Sequence, residues 1–253
     1  MNAELRPTPA GRALANFFSA VRVISLKSRD DRRREMGAEL ARLGLAPDHG
    51  PLKFHDASRF DEAYPFPSIG AKGCYYSHLA VLEEALSKGF ENVLILEDDC
   101  DFIGNIERAL PSALETLGRK DWDFFFGGHE DLICDEGASE PVQQVPSGSW
   151  IRGTHFVAFN KRAISAIVPY LRQEIEHLER DPVGASRGID AAYTHFGREY
   201  PMFRYFVAWP KLGYQRPSRT DVQTTSILDR LPLIRSAVVP VRRLKRLLRK
   251  RAT

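Results

Sequence analysis

The sequence predicts an α/β fold with a largely parallel central sheet, and three observations predict it. Short apolar or β-branched runs at 21–26 and 92–96 are typical of buried strands. Segments of helical composition separate such runs along the chain, as in β-α-β units. The 253 residues suffice for one large domain, or for one domain and a tail, and the 43% hydrophobic content supports a substantial core.

In the first half of the chain, strand and helix patterns alternate. Residues 46–73 are rich in Pro, Gly and Asp and are predicted to form loops around one short strand. Gly44 is predicted to end the first helix, whereas Ser77 is predicted to cap the second helix and Lys88-Gly89 to end it. The other predicted elements are strands at 21–26, 52–55, 92–96 and 122–126 and helices at 30–43 and 106–117.

The second half is less regular. Residues 135–149 are polar and are predicted to form a mobile loop, and 150–159 alternate like a strand. Asn160 is predicted to cap a helix from Lys161, and Pro169 to break or restart it. A loop at 181–188 and a late strand at 204–209 complete the pattern.

Charge is distributed unevenly along the chain. Residues 242–251 hold seven Lys or Arg and no acid, so removing them from the net charge of +3 leaves about −4. A mildly acidic body argues against a nucleic-acid-binding protein, so no nucleic-acid partner is expected. We divide the chain into an N-terminal extension (1–20), a domain (21–225) and a basic amphipathic tail (226–253).

The tail is predicted to be helical and to bind an anionic membrane surface through residues 229–251. Val241, Leu244, Leu247 and Leu248 fall on one helical face with Arg and Lys around them. The alternative is a disordered basic tail. The sequence has no apolar run of about 18 residues, and its N-terminus lacks the long apolar centre of a secretory signal peptide. We interpret Cys74, Cys100 and Cys134 as free thiols. We therefore expect a cytoplasmic protein that is peripheral on the inner face of the plasma membrane.

An acidic cluster, Glu97-Asp98-Asp99-Cys100-Asp101, follows the strand at 92–96 directly. Ligands of parallel α/β sheets bind beyond the carboxyl ends of the strands, so this position suggests a site. A divalent cation, Mn²⁺ or Mg²⁺, would relieve the repulsion among these carboxylates and would bridge a nucleotide diphosphate. Alternation along an extended segment predicts Asp99 as the main metal ligand, with Asp101 in support. The alternative is a solvated acidic turn.

Several motifs stand in a common order along the chain. They are ISLKSRDDRR at 24–33, FHDA at 54–57, GCYYSH at 73–78, VLILEDD at 93–99, and weaker motifs at 153–159 and 215–218. The Gly-Cys-x-x-Ser-His pattern and the Leu-Glu-Asp-Asp pattern, about 18 residues apart, are the most specific of these. Together the motifs resemble glycosyltransferase family 25, which includes bacterial lipooligosaccharide galactosyltransferases, over roughly residues 21–220.

The resemblance implies a single Rossmann-like domain of the GT-A type with a metal-carboxylate motif. It implies an inverting transfer of a hexose, commonly galactose from a UDP-sugar, to a glycan or lipid-linked acceptor in bacterial surface polysaccharide synthesis. Lys72, Cys100 and Asp101 depart from the family pattern. Because of these departures, the resemblance does not fix the identity of the donor sugar or the geometry of the metal site.

Residue roles follow partly from the resemblance. Asp190 is the candidate general base because the family carries an Asp in a similar late motif, and capping of the next helix is its alternative. Glu130, after Gly127-Gly128, is the second candidate base. His195 is considered as a third metal ligand.

The remaining candidates are assigned to the nucleotide-sugar donor. Arginine forks suit phosphate oxygens, although Arg29 and Arg32 also fit a solvated turn. Ser77 and His78 match the family signature, although each also fits a structural role. The full donor set is Arg29, Arg32, Asp56, Ser77, His78, Glu97, Asp98, Gln215 and Ser218.

Two other functions remain open from the sequence. One is a non-catalytic protein that kept the fold and binds a sugar nucleotide or glycan without transferring sugar. The other is a membrane-associated scaffold in which the tail dominates. The carboxylate cluster favours the enzyme.

Overall fold

The structure is a computed structural model, and it describes residues 6–48, 50–130, 140–181 and 188–216. Ser218, Cys134 and the predicted basic tail lie outside these residues. The helices are α1 (Pro9–Phe17), α2 (Asp30–Arg42), α3 (Ile69–Ser87), α4 (Ile106–Gly118), α5 (Lys161–Arg180) and α6 (Ile189–Glu199). The strands are β1 (Ala20–Ser25), β2 (Leu52–Asp56), β3 (Asn92–Glu97), β4 (Cys100–Phe102), β5 (Phe124–Phe126), β6 (Val142–Val145), β7 (Phe156–Asn160), β8 (Tyr205–Ala208) and β9 (Gly213–Gln215).

Seven strands form the central sheet in the order β2-β1-β3-β7-β5-β8-β6. Strand β1 is parallel to both β2 and β3, and β5 is parallel to β8. Strands β7 and β6 run antiparallel to their neighbours, so the other five strands share one direction. The predicted α/β class with a mostly parallel sheet is therefore confirmed.

Side chains alternate between the two faces of this sheet, and helices cover both faces. In β3, Val93 and Ile95 pack into a core with α3, α5 and α6. Leu94 and Leu96 pack into a second core with α1, α2 and α4. Because alternate residues of a strand face opposite sides, the next residue, Glu97, is directed toward the α3 side.

Strands β4 and β9 form a separate two-stranded antiparallel sheet next to the carboxyl end of β3. Cys100 is opposite Gln215 in this sheet. The backbone N–H of Arg216 donates to the Asp99 carbonyl at 2.7 Å. The small sheet therefore joins the acidic cluster to the last described residues.

The prediction for the second helix was wrong at its start. Helix α3 begins at Ile69, and its N-cap is Ser68, whose side chain accepts from the Ala71 N–H. Ser77 is a fully buried residue of the helix interior and not a cap. The first turn of the helix contains small residues and glycine, so its composition is typical of a loop and does not predict a helix start.

Three other predictions need correction. The predicted loop at 135–149 contains the edge strand β6, and β7 begins at Phe156, six residues later than expected. Pro169 does not break α5, which continues through it with its apolar face buried in the core. Tertiary packing compensates for the hydrogen bond that the proline cannot make.

The N-terminal extension is not separate from the domain. Residues of this segment form α1, capped by Thr8, and α1 packs against α4. Ala10 and Leu14 are fully buried. In the part of the chain that the structure describes, no helix has both the length and the apolarity needed to cross a membrane.

Candidate functional site

A cleft opens at the carboxyl ends of β1, β2 and β3, which are the three neighbouring parallel strands. Its volume is about 590 Å³. Small-molecule sites in proteins fall in this range, and parallel sheets bind ligands at this edge. The cleft is lined by residues 24–26 and 28, Arg29, Arg32, residues 57–61, Ile69, Gly70, Gly73, Cys74, Ser77, Glu97, Asp98, Asp99 and Gln215.

The acidic cluster does not continue as an extended strand. Strand β3 ends at Glu97, a turn follows at Asp98 and Asp99, and β4 begins at Cys100. The predicted alternation, with Asp99 and Asp101 on one face, therefore does not apply. The turn directs Asp99 into the cleft wall and Asp101 into a different environment.

Asp99 lies at the cleft with 2% of its surface exposed. Its Oδ2 accepts a hydrogen bond from Gln215 Nε2 at 3.2 Å, and Arg32 Nη1 lies 3.8 Å away. Its Oδ1 is buried and has no hydrogen-bond partner in the described structure. Burial, with the charge of Glu97 next, raises the pKa of Asp99 to about 7, although Arg32 opposes this effect. A buried carboxylate oxygen without a partner fits a metal ligand.

Asp98 is held rigidly beside Asp99. Its two carboxylate oxygens accept from Ser25 Oγ at 2.8 Å and from Arg32 Nη1 at 2.9 Å. Its backbone N–H donates to the Ile24 carbonyl at 3.1 Å. Asp98 therefore positions the Arg32 guanidinium at the cleft.

Asp101, which is predicted as the supporting metal ligand, has different surroundings from Asp99. Asp101 is fully buried and does not line the cleft. Its Oδ1 accepts from Arg216 Nη2 at 2.7 Å and from Arg216 Nε at 3.0 Å. Arg216 also pairs with Glu35. The Asp101 side chain is therefore a buried ion-pair partner of Arg216 in this structure.

Glu97 contacts the opposite wall of the cleft, as its position in β3 requires. Thr154 Oγ1 donates to Glu97 Oε1 at 2.6 Å, and His78 Nε2 lies 3.5 Å from the same oxygen. Burial alone would raise the pKa of Glu97. The nearby His78 and Thr154 outweigh burial and hold that pKa below its ordinary value.

Ser77 and His78 lie on the buried face of α3. Ser77 Oγ donates to the Gly73 carbonyl at 2.6 Å and accepts from the Ser58 N–H at 2.8 Å, so it fixes the loop after β2. A Cβ on Gly73 would lie 2.7 Å from the Ser58 carbonyl oxygen, so only glycine allows this close approach. His78 Nδ1 lies 3.0 Å from the Tyr193 hydroxyl.

The remaining predicted donor ligands are nearer the rim. Arg29 lines the cleft and forms an ion pair with Asp31 at 2.8 Å. Asp56 is exposed and pairs with Arg33, which lowers the pKa of Asp56. Asp56 itself does not line the cleft, whereas the residues directly after it do. Gln215 reaches the cleft from β9, whereas Ser218 lies outside the described residues.

The two candidate bases differ in their surroundings. Asp190 is in the first turn of α6, and Asp190 Oδ1 accepts from the Ala191 N–H at 2.9 Å. Burial raises the pKa of Asp190, and the charge of Glu97 adds to this effect. Asp190 does not line the cleft. Glu130 is in a 2.8 Å ion pair with Arg152 and does not line the cleft.

His195 belongs to no group of three potential metal ligands within the described ranges. Four residues that build the site lie within the quoted motifs but received no individual role from the sequence. Ser25 ends β1, Thr154 begins the segment before β7, and Arg216 follows the predicted Gln215. Cys74 was quoted only as part of a motif, although its i, i+4 spacing to His78 on one helix face was a readable signal.

The fold and the cleft define an α/β protein with a small-molecule-sized cleft at the carboxyl edge of its sheet. Residues 67–128 match the model of glycosyltransferase family 25, described as an LPS biosynthesis protein. This segment runs from just before α3 to just after β5, and it includes Cys74, His78, Glu97 and Asp99. This match, together with the named relatives below, confirms the resemblance to glycosyltransferase family 25 for this part of the chain.

One curated relative carries the same family name, and another is named a galactosyltransferase. The chain is 29% identical over 142 residues to "Inactive glycosyltransferase 25 family member 3" of Homo sapiens, which is 49% of this chain and 24% of that protein. It is 29% identical over 148 residues to "Procollagen galactosyltransferase 2" of Mus musculus, which is 51% of this chain and 23% of that protein. The chain therefore spans about a quarter of the length of these relatives.

Among solved structures, the chain resembles a glycosyltransferase involved in glycosylation of the major capsid of PBCV-1. The likeness covers 80% of this chain and 95% of that chain, with 12% identity and a TM-score of 0.49.

Proposed function

We propose that this chain is an inverting glycosyltransferase that transfers a hexose from a UDP-sugar to a glycan or lipid-linked acceptor in bacterial surface polysaccharide synthesis. One observation carries the proposal. A buried carboxylate, Asp99, presents an oxygen without a hydrogen-bond partner to a small-molecule-sized cleft at the carboxyl edge of the sheet. The match to the family supports a nucleotide sugar as the ligand of this cleft.

Asp99 fits the divalent cation that the family implies. Mn²⁺ and Mg²⁺ take oxygen ligands, and they use few protein carboxylates when substrate phosphates complete the shell. Asp99 Oδ1 would hold the ion, and Gln215 keeps the other oxygen in place. When bound, such an ion stabilises the negative charge that develops on a leaving diphosphate.

The arginines at the cleft are suited to the donor phosphates. Arg32 is oriented by its 2.9 Å hydrogen bond to Asp98, so its guanidinium is already placed before a ligand arrives. Arg29 provides a second cation at the rim of the cleft. Preorganised cations lower the cost of binding an anion and of stabilising charge in the transition state.

Asp190 is the residue we propose as the general base. An inverting transfer requires a group that takes the proton of the acceptor hydroxyl. Burial raises the pKa of Asp190, which makes it a better proton acceptor than an exposed aspartate. Glu130 would first have to open its ion pair with Arg152.

A second candidate function is donor or glycan binding without transfer. The human relative is named inactive, and this name is the observation that favours it. The Asp99 geometry favours the enzyme, since the carboxylate and its supporting residues are all present.

Calorimetry with UDP, GDP and CMP, with and without Mn²⁺, tests the donor site. We expect Mn²⁺-dependent binding of UDP, lost in Asp99→Asn, because the amide keeps the size but not the charge of the ligand. Glu115→Gln, an exposed change on α4, is the matched control and should bind like wild type. UDP affinity that is independent of Mn²⁺ and of Asp99 would reject the metal site.

Transfer and binding are separated by a second assay. We expect the wild-type protein to release UDP from UDP-galactose, slowly with water and faster with a saccharide acceptor. Asp190→Asn should bind the donor normally and release UDP much more slowly. Mn²⁺-dependent UDP binding with no release under any condition would favour the binding protein.

We also propose that the protein is cytoplasmic and is held at the inner face of the plasma membrane by residues 229–251. The sequence of the tail is the support, since these residues lie outside the described ranges. An acceptor carried on a lipid would make such a placement useful.

A further inference from the structure

A second set of potential metal ligands lies in the wall of the same cleft, apart from Asp99. Cys74, His78 and Glu97 form the one group of three such residues among those the structure describes, with ligand atoms within 4.8 Å of one another. Cys74 and His78 are four residues apart on α3, so they lie on one helix face. Glu97 faces them from the end of β3.

His78 is the strongest indication of a ligand. It is fully buried, and its Nε2 faces Glu97 Oε1 at 3.5 Å without forming a hydrogen bond of ordinary length. Its other nitrogen, Nδ1, lies 3.0 Å from the Tyr193 hydroxyl. Metal-binding histidines use one nitrogen for the ion and engage the other in a hydrogen bond that sets the tautomer and the ring orientation. Tyr193 is placed to provide that second contact.

We propose that Cys74, His78 and Glu97 bind a thiophilic divalent cation such as Zn²⁺, at a site distinct from the oxygen-ligand ion at Asp99. Sulfur, imidazole and carboxylate are the ligand types that Zn²⁺ uses, whereas Mg²⁺ and Mn²⁺ favour oxygen. This proposal does not rest on sugar transfer.

The three ligand atoms need to move only slightly closer together to reach metal-binding distances. Ordinary Zn–S and Zn–N bond lengths place two tetrahedral ligands about 3.6 Å apart. His78 Nε2 and Glu97 Oε1 are already 3.5 Å apart. All three ligand atoms lie within 4.8 Å of one another, so a small side-chain adjustment would complete the set.

The fourth coordination position would face the cleft. Cys74 and Glu97 both line the cleft, and three protein ligands leave one position for water or for a ligand oxygen. Glu97 has a second carboxylate oxygen besides the one that accepts from Thr154. The site would therefore be open to small ligands and not sealed within the core.

Cobalt spectroscopy tests the proposal on the full chain. Co²⁺ added to metal-free, reduced protein should give a thiolate-to-cobalt charge-transfer band. We expect Cys74→Ser to lose the band, and Cys100→Ser and Cys134→Ser to keep it. Absence of the band in wild type, or its survival in Cys74→Ser, would overturn the proposal.

A second measurement avoids any variant that fails to fold. Zn²⁺ should protect Cys74 of wild-type protein from alkylation, mapped by mass spectrometry, whereas Mg²⁺ should not. Equal alkylation of Cys74 with and without Zn²⁺ would contradict the site. Asp99→Asn should retain both the cobalt band and the protection while losing Mn²⁺-dependent UDP binding, which distinguishes this site from the proposed donor site.

Discussion

Asp99 shows how one buried residue links stability to ligand binding. An exposed aspartate has a pKa near 3.8, and that of Asp99 is raised to about 7. The folded protein therefore binds more protons than the unfolded chain between these values. Stability contributed by this group is present at low pH and falls as the pH rises toward 7.

We expect Asp99→Asn to raise the stability of the metal-free protein at pH 8 but not at pH 4. The gain should be on the order of 1–4 kcal/mol, because the amide avoids the buried charge. Denaturant unfolding of both proteins at the two pH values measures it. Glu115→Gln should show no such pH-dependent difference, and an equal effect of Asp99→Asn at both pH values would contradict the raised pKa.

The same shift predicts how metal binding depends on pH. A cation binds the ionised carboxylate, so Mn²⁺ competes with a proton at Asp99. Mn²⁺-dependent UDP affinity should therefore fall as the pH drops from 8 to 6. Calorimetry across this interval measures the slope. A flat profile would show that Asp99 is already ionised without the metal.

At the scale of elements, α3 meets the loop after β2 at a point that only glycine permits. A Cβ on Gly73 would lie 2.7 Å from the Ser58 carbonyl oxygen. Gly73→Ala should lower the free energy of unfolding by about 1–3 kcal/mol and weaken UDP binding, since the Ala57–Ser58 wall must move.

Gly37→Ala is the matched control for this prediction. Nothing lies within 4 Å of a Cβ at Gly37 in α2. Alanine should there raise stability by up to about 1 kcal/mol because it is the better helix former. Equal effects at the two glycines would contradict the contact.

The small sheet β4-β9 depends on the ion pair between Arg216 and Asp101. Both side chains are buried, at 5% and 0% exposure. Arg216→Met would remove the guanidinium that neutralises Asp101 and should cost about 3–5 kcal/mol. Arg119→Met, in an exposed pair with Glu115, should cost less than about 1 kcal/mol. Thermal and urea unfolding compare the two, and similar losses would reject the buried ion pair.

At the scale of the whole molecule, the tail is predicted to bring the domain to a membrane. Deletion of residues 242–251 should abolish binding to vesicles that contain anionic lipid, since it removes seven cationic side chains. Vesicle co-sedimentation measures this, and binding by the full chain should weaken as salt is added. Leu247→Ser and Leu248→Ser, which keep the charge, should weaken binding only in part. Undiminished binding after the deletion would reject the membrane role.

Much of the fold was predictable because local patterns and tertiary packing agree. The helix at Asp30–Arg42 and the strand at Asn92–Glu97 match their predicted ranges closely. The helix has helical composition and is followed by a glycine, and the strand is a continuous apolar run. The prediction for α3 was wrong at its start because its first turn is rich in small residues. Strand β9 was not predicted, since three residues carry no period.

By itself, the sequence determined the α/β class, the family resemblance and the position of the acidic cluster at a strand end. These properties depend on residue order and on periodic patterns, which are local. Only the tertiary structure decided which carboxylate reaches the cleft. Asp99 and Asp101 are two residues apart, yet the turn after β3 separates their surroundings. The side chain of Arg216, 115 residues beyond Asp101, forms an ion pair with Asp101 and not with Asp99. Such contacts between distant segments depend on the path of the folded chain, which no local pattern contains.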